Sequence, residues 1–206
     1  IRAREMVPPS PFFVFLAAKE ESTMLQCLET ERLILRPPER RDVATLAVLF
    51  ADFDVSKMTA RIPYPYRRAD AEAFIARAAA IHEGDGGYVL VVGRKPDGYC
   101  LGTVGLERKD GDVHLGFALG KFYWGQGYAT EAVGRLVRFA FEVLNAPRVA
   151  ASHALDNPAS ARVLSKLGFA QGDEVEIPSA ARKDYVLCRK VELTREAYRN
   201  RAMRAA

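Results

Sequence analysis

The sequence has few cysteines, and none of them is arranged for a metal site. Cys27, Cys100 and Cys188 are odd in number and far apart, without the paired spacing of zinc ligands. Such a set indicates free thiols in a reducing compartment rather than a disulfide framework. We therefore expect a cytoplasmic protein without a bound metal.

A strong excess of charge of one sign is also missing. Thirty Lys and Arg residues are balanced by 26 Asp and Glu residues, which leaves a formal net charge of +4 at pH 7. The two signs are mixed along the chain, so it lacks the electrostatic footprint of a dedicated nucleic-acid-binding protein. The apolar run at residues 12–18 is too short to cross a bilayer. The sequence thus predicts no specific nucleic-acid partner and no membrane partner.

Apolar residues are plentiful, at 49% of 206 positions, which is enough for one substantial core. We expect a single domain over residues 28–198, followed by a basic C-terminal tail over residues 199–206. Residues 1–27 form an N-terminal extension in this interpretation, since Pro8 and Pro9 interrupt any helix there. Whether all of this extension is native is left open.

The spacing of apolar residues predicts an alternation of strands and helices. A strand is expected at residues 31–36, and helices are expected at 39–52 and 69–84. Three further strands are separated by short turns that contain Asp and Gly, and they lie at residues 88–93, 100–108 and 113–119. Successive strands joined in this way predict an antiparallel meander.

A glycine-rich turn and a helix follow the meander. In the stretch FYWGQGYATEA, residues 122–132, Gly125 and Gly127 stand before a helix whose apolar face runs to Ala140. Such a turn exposes unpaired N–H groups at the positive end of the helix dipole, which favours a bound phosphate. A P-loop would need Lys and then Ser or Thr after its glycine, and a dinucleotide fingerprint would need a third glycine where Thr130 stands. On its own, the pattern fits a tight strand-to-helix turn equally well.

The last part of the sequence predicts another strand–helix unit and a pair of strands. A strand at residues 148–154 leads into a short helix with Asn157 as its N-cap, Pro158 at its first position and Gly168 as its C-terminal cap. Residues 171–193 are then expected to form two strands joined by a long loop.

Four motifs in this order resemble one superfamily. They are TERLILRP (residues 30–37), IPYPY (62–66), YWGQGYATEA (123–132) and NPASARVLSKLGF (157–169). Together they resemble the GNAT superfamily of acyl-CoA-dependent N-acetyltransferases, and within it the branch of ribosomal-protein N-terminal alanine and serine acetyltransferases (RimJ/RimL-like). The resemblance covers residues 28–198. It implies an α/β (α+β) fold, with a mixed, mostly antiparallel central sheet flanked by helices, and acetyl-CoA as co-substrate.

By this resemblance the amides of the glycine turn bind the pyrophosphate of coenzyme A, because glycine leaves room for close approach. The pantetheine arm would pair with the edge of the preceding strand, as an added strand does. The implied coenzyme residues are Phe117, Ala118, Leu119, Phe122, Trp124, Gly125, Gln126, Gly127, Tyr128, Ala129, Thr130, Asn157 and Ser160. The family often carries Arg or Gln where this chain has Phe122, so one side-chain contact with phosphate is in doubt. Trp124 is expected to cover apolar surface beside the turn.

The implied chemistry is direct attack of a neutral amine on the thioester, without an acyl-enzyme. It needs a proton acceptor, and His114 is the first candidate because its strand leads to the coenzyme. Glu107, on the neighbouring strand, is the alternative, although either residue can equally be an ordinary surface group. Ser160 is the candidate proton donor to the leaving thiolate, since Leu164 stands where many relatives have tyrosine. Helix capping alone would also explain Ser160 and Asn157.

For the acceptor, the resemblance implies a pocket that includes Arg36, Tyr64 and Tyr66, with both tyrosines on a loop stiffened by proline. An ordinary surface charge is the favoured alternative for Arg36, and packing alone would also explain the two tyrosines. We expect Glu131 to stabilise the first turn of its helix electrostatically. The favoured acceptor is the N-terminal Ala or Ser of a protein, by resemblance a ribosomal protein. A small-molecule amine or antibiotic as acceptor, or a non-catalytic acyl-CoA-binding module, are the alternatives. A homodimer is left open.

Overall fold

The structure of the protein is a computed structural model, which describes residues 27–84, 86–95, 97–109 and 112–205. Apart from Cys27, the extension expected over residues 1–27 lies outside the described residues. The strands and helices, in chain order, are β1 (Leu28–Glu29), β2 (Leu33–Arg36), α1 (Val43–Phe50), α2 (Phe53–Ser56), α3 (Arg68–Glu83), β3 (Gly87–Arg94), β4 (Tyr99–Lys109), β5 (Asp112–Leu119), α4 (Tyr128–Glu142), β6 (Arg148–Ala154), α5 (Pro158–Lys166), β7 (Ala170–Ser179), β8 (Asp184–Thr194) and α6 (Arg195–Ala205).

The strands form one sheet of eight in the order β1-β2-β3-β4-β5-β6-β8-β7. Every neighbouring pair is antiparallel except β5 and β6, which run parallel. The expected meander is present as β3, β4 and β5. The predicted fold class, a mixed and mostly antiparallel sheet flanked by helices, is therefore confirmed.

The parallel pairing of β5 and β6 is short, and the point where it ends determines where the candidate active site lies. Only Val113 with Val149 and His114 with Ala150 are in register. Beyond His114 the two strands separate, so the edge of β5 that faces β6 has no ladder partner there. A gap of this kind in the middle of a sheet leaves main-chain groups available to a ligand.

Helix α4 packs on one face of the sheet and its apolar stripe behaves as predicted. Val133, Leu136 and Ala140 are fully buried there in a cluster that includes Leu90 and Leu106 of the sheet. Removing each such Leu or Val side chain from water stabilises the fold by about 1.5–3 kcal/mol. This packing fixes the start of α4 relative to the gap between β5 and β6.

The opposite face of the sheet is covered by α1 and α3. Leu46 and Phe50 of α1 and Ala71 of α3 pack there around Val91 and Cys100. Burial raises the pKa of the Cys100 thiol to about 12. Cys100 thus behaves as a small buried hydrophobe.

Three elements differ from the sequence-based expectations. The one-turn helix α2 was not predicted, because four residues are too few to show a helical period. The connection between β7 and β8 is only residues 180–183, so the expectation of a long loop was wrong. Helix α6 runs continuously across the domain boundary that was expected at residue 198.

Candidate active site

The glycine turn between β5 and α4 has a backbone that needs glycine. Gly125 and Gly127 have φ values of 75° and 83°, in the left-handed region where a side chain is strained. Gly127 is the N-cap of α4. The two glycines therefore have the conformational role that the sequence predicted.

The amides of this turn are available to a ligand. No acceptor among the described residues bonds the N–H groups of residues 125–130, whereas the next amide, that of Glu131, donates to the Gly127 carbonyl at 3.1 Å. These N–H groups stand at the positive end of the α4 dipole. Unbonded backbone amides at the start of a helix commonly bind anions.

Side chains on both flanks hold the turn in place. Trp124 Nε1 donates to the Leu119 carbonyl at 2.8 Å, and Gln126 Nε2 donates to the Phe122 carbonyl at 2.8 Å. From the turn between β1 and β2, Arg32 donates to the Gln126 carbonyl at 3.1 Å. The Trp124 indole is thus a positioning group for the turn, since it ties the turn to the end of β5.

Glu131 has partners that were not expected. Instead of acting on its own helical turn, its carboxylate accepts from Thr30 Oγ1 at 2.6 Å, from the Arg32 amide at 2.9 Å and from Arg32 Nε at 2.7 Å. Partial burial alone would raise the pKa of Glu131, but the hydrogen bonds from Thr30 and Arg32 outweigh it and lower that pKa. Glu131 therefore fastens the start of α4 to the turn between β1 and β2.

A cavity of about 390 Å³ extends from the glycine turn along the end of β5 to α5. Most of the implied coenzyme residues line it: Phe117, Ala118, Leu119, Trp124, Gly125, Gly127, Tyr128, Ala129, Thr130, Asn157 and Ser160. Phe122 and Gln126 are not on its wall. The Phe122 side chain is 86% exposed, and the Gln126 side chain bonds the turn itself.

Two cations on the coenzyme side were missed from the sequence. Arg162 and Lys166 of α5 also line the first cavity. They are four residues apart, so they share one face of the helix. That spacing was the signal that could have identified them.

A second cavity, of about 500 Å³, lies on the α3 side of the sheet. His114, Glu107 and Tyr66 line it, as does Ser160. The two cavities share five residues, namely Met58, Thr59, Phe117, Ala118 and Ser160. An elongated ligand in the first cavity and a second ligand in the other would therefore meet beside Ser160.

His114 and Glu107 lie opposite each other on β5 and β4. His114 is exposed, whereas the Glu107 carboxylate forms an ion pair with Arg61. The Glu107 carboxylate is therefore already engaged by a cation, while the His114 ring is exposed. The two candidate bases therefore differ in their surroundings, since Glu107 is paired and His114 is not buried.

At the start of α5, Asn157 is buried and its Oδ1 accepts from the Ser160 amide at 3.0 Å. The predicted cap is therefore present. The Ser160 hydroxyl has no partner among the described residues, and it lies where the two cavities meet. Capping through the Ser160 amide leaves its hydroxyl free for a ligand.

The three residues expected at the acceptor pocket are not together. Tyr66 is buried on the cavity wall against Phe50, with ring centroids 5.5 Å apart, and burial raises the pKa of Tyr66 to about 12. Tyr64 is 41% exposed and is not on that wall. Arg36 makes two hydrogen bonds to the Asp42 carboxylate, at 2.8 and 2.7 Å, and lines neither cavity. We therefore correct the assignment of Arg36, whose guanidinium neutralises a buried carboxylate.

The loop between β7 and β8 closes the site from outside, which the sequence did not indicate. The Ala180 amide donates to the Ala60 carbonyl at 2.9 Å, and Arg182 Nε donates to the Lys57 carbonyl at 2.9 Å. Arg182 also donates to both carboxylate oxygens of Asp156, at 2.8 and 2.9 Å. The segment at residues 57–60, which carries Met58 and Thr59, is thereby fixed over the junction of the cavities.

These features suit a protein that binds an anion at a helix start and a second ligand in an adjoining cavity. A profile of the acetyltransferase (GNAT) domain matches residues 32–170. The chain therefore belongs to the GNAT acetyltransferase family and is an acetyl-CoA-dependent N-acetyltransferase.

Relatives and solved structures agree with this family. An uncharacterized N-acetyltransferase, p20 of Bacillus licheniformis, is 28% identical over 70% of this chain and 83% of its own length. The ribosomal-protein-S5-alanine acetyltransferase of Vibrio fischeri has a TM-score of 0.71 at 19% identity, covering 84% of this chain and 98% of its own. The microcin C7 self-immunity acetyltransferase MccE, solved with acetyl-CoA and AMP, has a TM-score of 0.70 at 16% identity, covering 80% and 93%.

Two further observations concern the described part of the chain. None of the helices there is long and apolar enough to cross a membrane. Nor does that part contain a group of three or more His, Cys, Asp or Glu side chains placed to hold a metal ion.

Proposed function

We propose that this acetyltransferase moves the acetyl group of acetyl-CoA to the α-amine of a protein that begins with Ala or Ser. The observation that carries the proposal is the run of free amides at residues 125–130, which opens onto a cavity that meets the acceptor cavity at Ser160. An anion held at one end of the first cavity would direct the other end of the carrier to that meeting point.

Coenzyme binding would use main chain at two places and cations at a third. The pyrophosphate would accept hydrogen bonds from the amides between Gly125 and Thr130. The pantetheine amides would pair with the edge of β5 that β6 leaves free. Arg162 and Lys166, on the cavity wall, would attract the remaining phosphate charge.

The chemical step would be direct attack, because no nucleophile suited to an acyl-enzyme lies on the shared wall. Cys100 is buried, lines neither cavity and has a pKa of about 12, so it is protonated at neutral pH. The Ser160 hydroxyl has no basic partner that would activate it. Ser160 is instead placed to donate a hydrogen bond to the departing thiolate.

Of the two bases expected from the sequence, the structure favours His114. Glu107 is engaged by Arg61, whereas His114 is exposed on the same cavity wall. A neutral imidazole can take a proton near pH 7. We therefore keep His114 as a proposed base and regard Glu107 as the residue that positions Arg61.

The charges on the wall of the acceptor cavity favour an acceptor with a single amine. Each of its carboxylates is already bonded: Glu107 to Arg61, and Asp70 to the Arg67 amide at 2.7 Å. Arg77 on that wall has no carboxylate within ion-pair distance among the described residues. Asp70 is the carboxylate on that wall without a cationic partner among the described residues, so the wall can pair with one ammonium group while Arg77 repels further ones. A peptide N-terminus brings one amine and neutral amides.

A small-molecule acceptor is the second candidate. It is favoured by the size of the acceptor cavity, about 500 Å³, which falls in the range of small-ligand pockets. The structural similarity to MccE, a microcin C7 self-immunity acetyltransferase, is compatible with it.

One experiment separates these functions. The purified protein is incubated with acetyl-CoA and, in parallel, with hexapeptides beginning Ala, Ser or Pro, with spermidine and with an aminoglycoside, while released thiol is measured. We expect release only with the Ala and Ser peptides, and mass spectrometry should place the acetyl group on their α-amine. Release with spermidine or the aminoglycoside alone would reject the peptide acceptor. Calorimetric binding of acetyl-CoA without release to any amine would favour a regulatory module.

A cytoplasmic location completes the proposal, and a homodimer stays open as the assembly state. The location rests on three cysteines that are all free thiols among the described residues. Sedimentation equilibrium measures the assembly state directly, and a single species at the monomer mass of 22.8 kDa would reject the homodimer.

A further inference from the structure

A second histidine on the acceptor cavity is not used by any of the steps above. His153 of β6 lines that cavity and is only 9% exposed. Its Nδ1 lies 3.0 Å from the Ala154 carbonyl oxygen. Because a carbonyl can only accept, Nδ1 carries the hydrogen, and the neutral ring presents a lone pair at Nε2.

This Nε2 atom is buried and has no hydrogen-bond partner among the described residues. Buried polar atoms in proteins are bonded in the great majority of cases. His153 lines the cavity, and its Nε2 is covered from solvent but lacks a partner, so after a small movement of the ring a donor that enters the cavity would complete it. In this cavity the donor is the amine substrate or a water bound beside it.

The position of His153 along its strand matches the expected place of the reaction. The parallel register ends at His114 and Ala150, and three residues further along each strand are Phe117 and His153. These two residues thus lie at the same level along the two strands, on either side of the gap, and Phe117 is one of the residues shared by the two cavities. His114 lies three residues short of this level, or roughly 10 Å at the rise of a β-strand.

We propose that Nε2 of His153 is the base that takes the proton from the attacking amine, directly or through one water. This inference rests on the proposed function and replaces His114 as the first candidate for that step. The Ala154 carbonyl would orient the ring and stabilise the imidazolium formed by the transfer. The residue would thereby contact the reacting nitrogen.

The step balances in protons and electrons. The lone pair of the neutral amine forms the C–N bond, the C–S bond breaks, and the electron pair of that bond leaves on sulfur. The proton lost by nitrogen goes to His153 Nε2, and the thiolate accepts a hydrogen bond from the Ser160 hydroxyl and is then protonated by solvent. The imidazolium returns its proton to solvent, which restores the starting state.

Kinetics of three variants test the proposal, once the amine panel has identified an accepted amine. Because a general base contributes about 10²–10⁴-fold, His153→Gln and His153→Phe should each lower kcat by roughly 10²-fold or more. The Kd for acetyl-CoA should stay within about threefold, since the phosphate amides are untouched. Added imidazole should restore part of kcat in His153→Ala. A kcat of His153→Gln within threefold of the wild type would overturn the proposal.

His82 supplies a matched control. It is a partly buried histidine whose Nε2 already accepts from the Val89 amide at 2.9 Å, and it lines neither cavity. The His82→Gln variant should keep its kcat and show no rescue by imidazole. A loss equal to that of His153→Gln would mean that the effect is structural and would overturn the proposal.

A measurement on the wild-type protein covers the case in which His153 variants fail to fold. In ¹⁵N-histidine-labelled protein with bound coenzyme A, addition of the accepted amine should shift the Nε2 resonance of His153 and leave that of His82 unchanged. Absence of a shift at saturating amine would overturn the proposal. Failure of the proposed function is distinct, because the unmodified protein would then release no thiol with any amine of the panel.

Discussion

At the scale of single residues, Gly127 combines a structural and a functional requirement. Its φ of 83° makes any side chain unfavourable, by about 1–2 kcal/mol. A methyl group there would also stand 3.3 Å from Arg32 Nη2, beside the amides that face the cavity. We expect Gly127→Ala to weaken acetyl-CoA binding about tenfold or more, which corresponds to about 1.4 kcal/mol, as measured by titration calorimetry.

Gly98 provides the control for this substitution. It also has a positive φ, of 67°, but nothing lies within 4 Å of its added methyl group, and it sits in the turn between β3 and β4. Gly98→Ala should lower the free energy of unfolding by a similar amount while the Kd for acetyl-CoA stays unchanged. Equal losses of affinity in both variants would show that strain alone weakens binding.

Arg36 is the second residue whose role is decided by its surroundings. Its partner Asp42 has a side chain that is only 4% exposed, and the hydrogen bond with Asp42 raises the pKa of Arg36. Removing one member of a buried ion pair leaves an uncompensated charge, so Arg36→Met should lower the free energy of unfolding by about 3–5 kcal/mol. Urea denaturation measures this change.

The Arg94–Asp97 pair is the exposed counterpart, with side chains 43% and 48% exposed. Arg94→Met should therefore change stability by at most about 1 kcal/mol. If Arg36→Met were equally mild and instead raised KM for the amine, the acceptor role implied by the family resemblance would be restored for Arg36.

At the scale of elements, the contact between α4 and the β1–β2 turn depends on the ionised Glu131. Since the folded pKa of Glu131 is lowered, its contribution is present above the unfolded pKa and is lost as pH falls through the folded value. Glu131→Gln should therefore be less stable than the wild type by about 1 kcal/mol at pH 7. The difference should shrink below about pH 4, as followed by urea denaturation across pH.

Glu72 is the comparison for this prediction, because its ion pair with Arg68 is exposed on α3. Glu72→Gln should alter stability little at either pH. A Glu131→Gln difference that stayed constant from pH 7 to pH 3 would show that packing, rather than the charge, fastens α4 to that turn.

Elements with strong local signals were predictable, and those defined by tertiary pairing were not. Helix α5 carries its own start and stop, with Asn157 capping it and a φ of 92° at Gly168 ending it, so its limits could be predicted from the sequence. The separation of β5 from β6 could not, since both strands have ordinary β patterns and only their partners set where pairing ends.

The candidate site shows the same division. The glycine turn was identifiable because its chemistry lies in consecutive residues. His153 was missed because a histidine in the strand RVAASHA has no local feature that distinguishes it from a packed side chain. Its open Nε2 became apparent only when every surrounding partner was known. Arg36 was assigned to the acceptor pocket because its pairing with Asp42, six residues further along the chain, was not recognisable from the sequence.

At the scale of the whole molecule, the ligand sites follow from how the single sheet opens. The proposed phosphate end lies on the α4 side, where the helix start is fixed by a buried apolar stripe. The acceptor cavity lies on the α3 side, and residues 57–60 close it through the loop between β7 and β8. The gap between β5 and β6 connects the two sides of the sheet, so the two proposed substrates would meet within this gap.

The extent of the folded unit is a further property of the whole molecule, and it differs from the boundary expected at residue 198. Tyr198 of α6 stacks on Phe141 of α4 with centroids 4.7 Å apart, and its hydroxyl donates to Glu142 at 2.8 Å. A single helical turn does not persist alone, so Tyr198 needs the rest of α6 to keep these contacts. Removing residues 199–206 should therefore lower the free energy of unfolding by about 2 kcal/mol, nearly as much as removing residues 195–206.

Urea denaturation of the two shortened chains and of Met203→Ala tests this prediction. Met203 is 70% exposed on the same helix, so its truncation should change stability by less than about 0.5 kcal/mol. The Kd for acetyl-CoA should be the same in all three proteins, because α6 lines neither cavity. A chain ending at Tyr198 that is as stable as the full chain would place the boundary at residue 198 and show that Tyr198 packs without its helix.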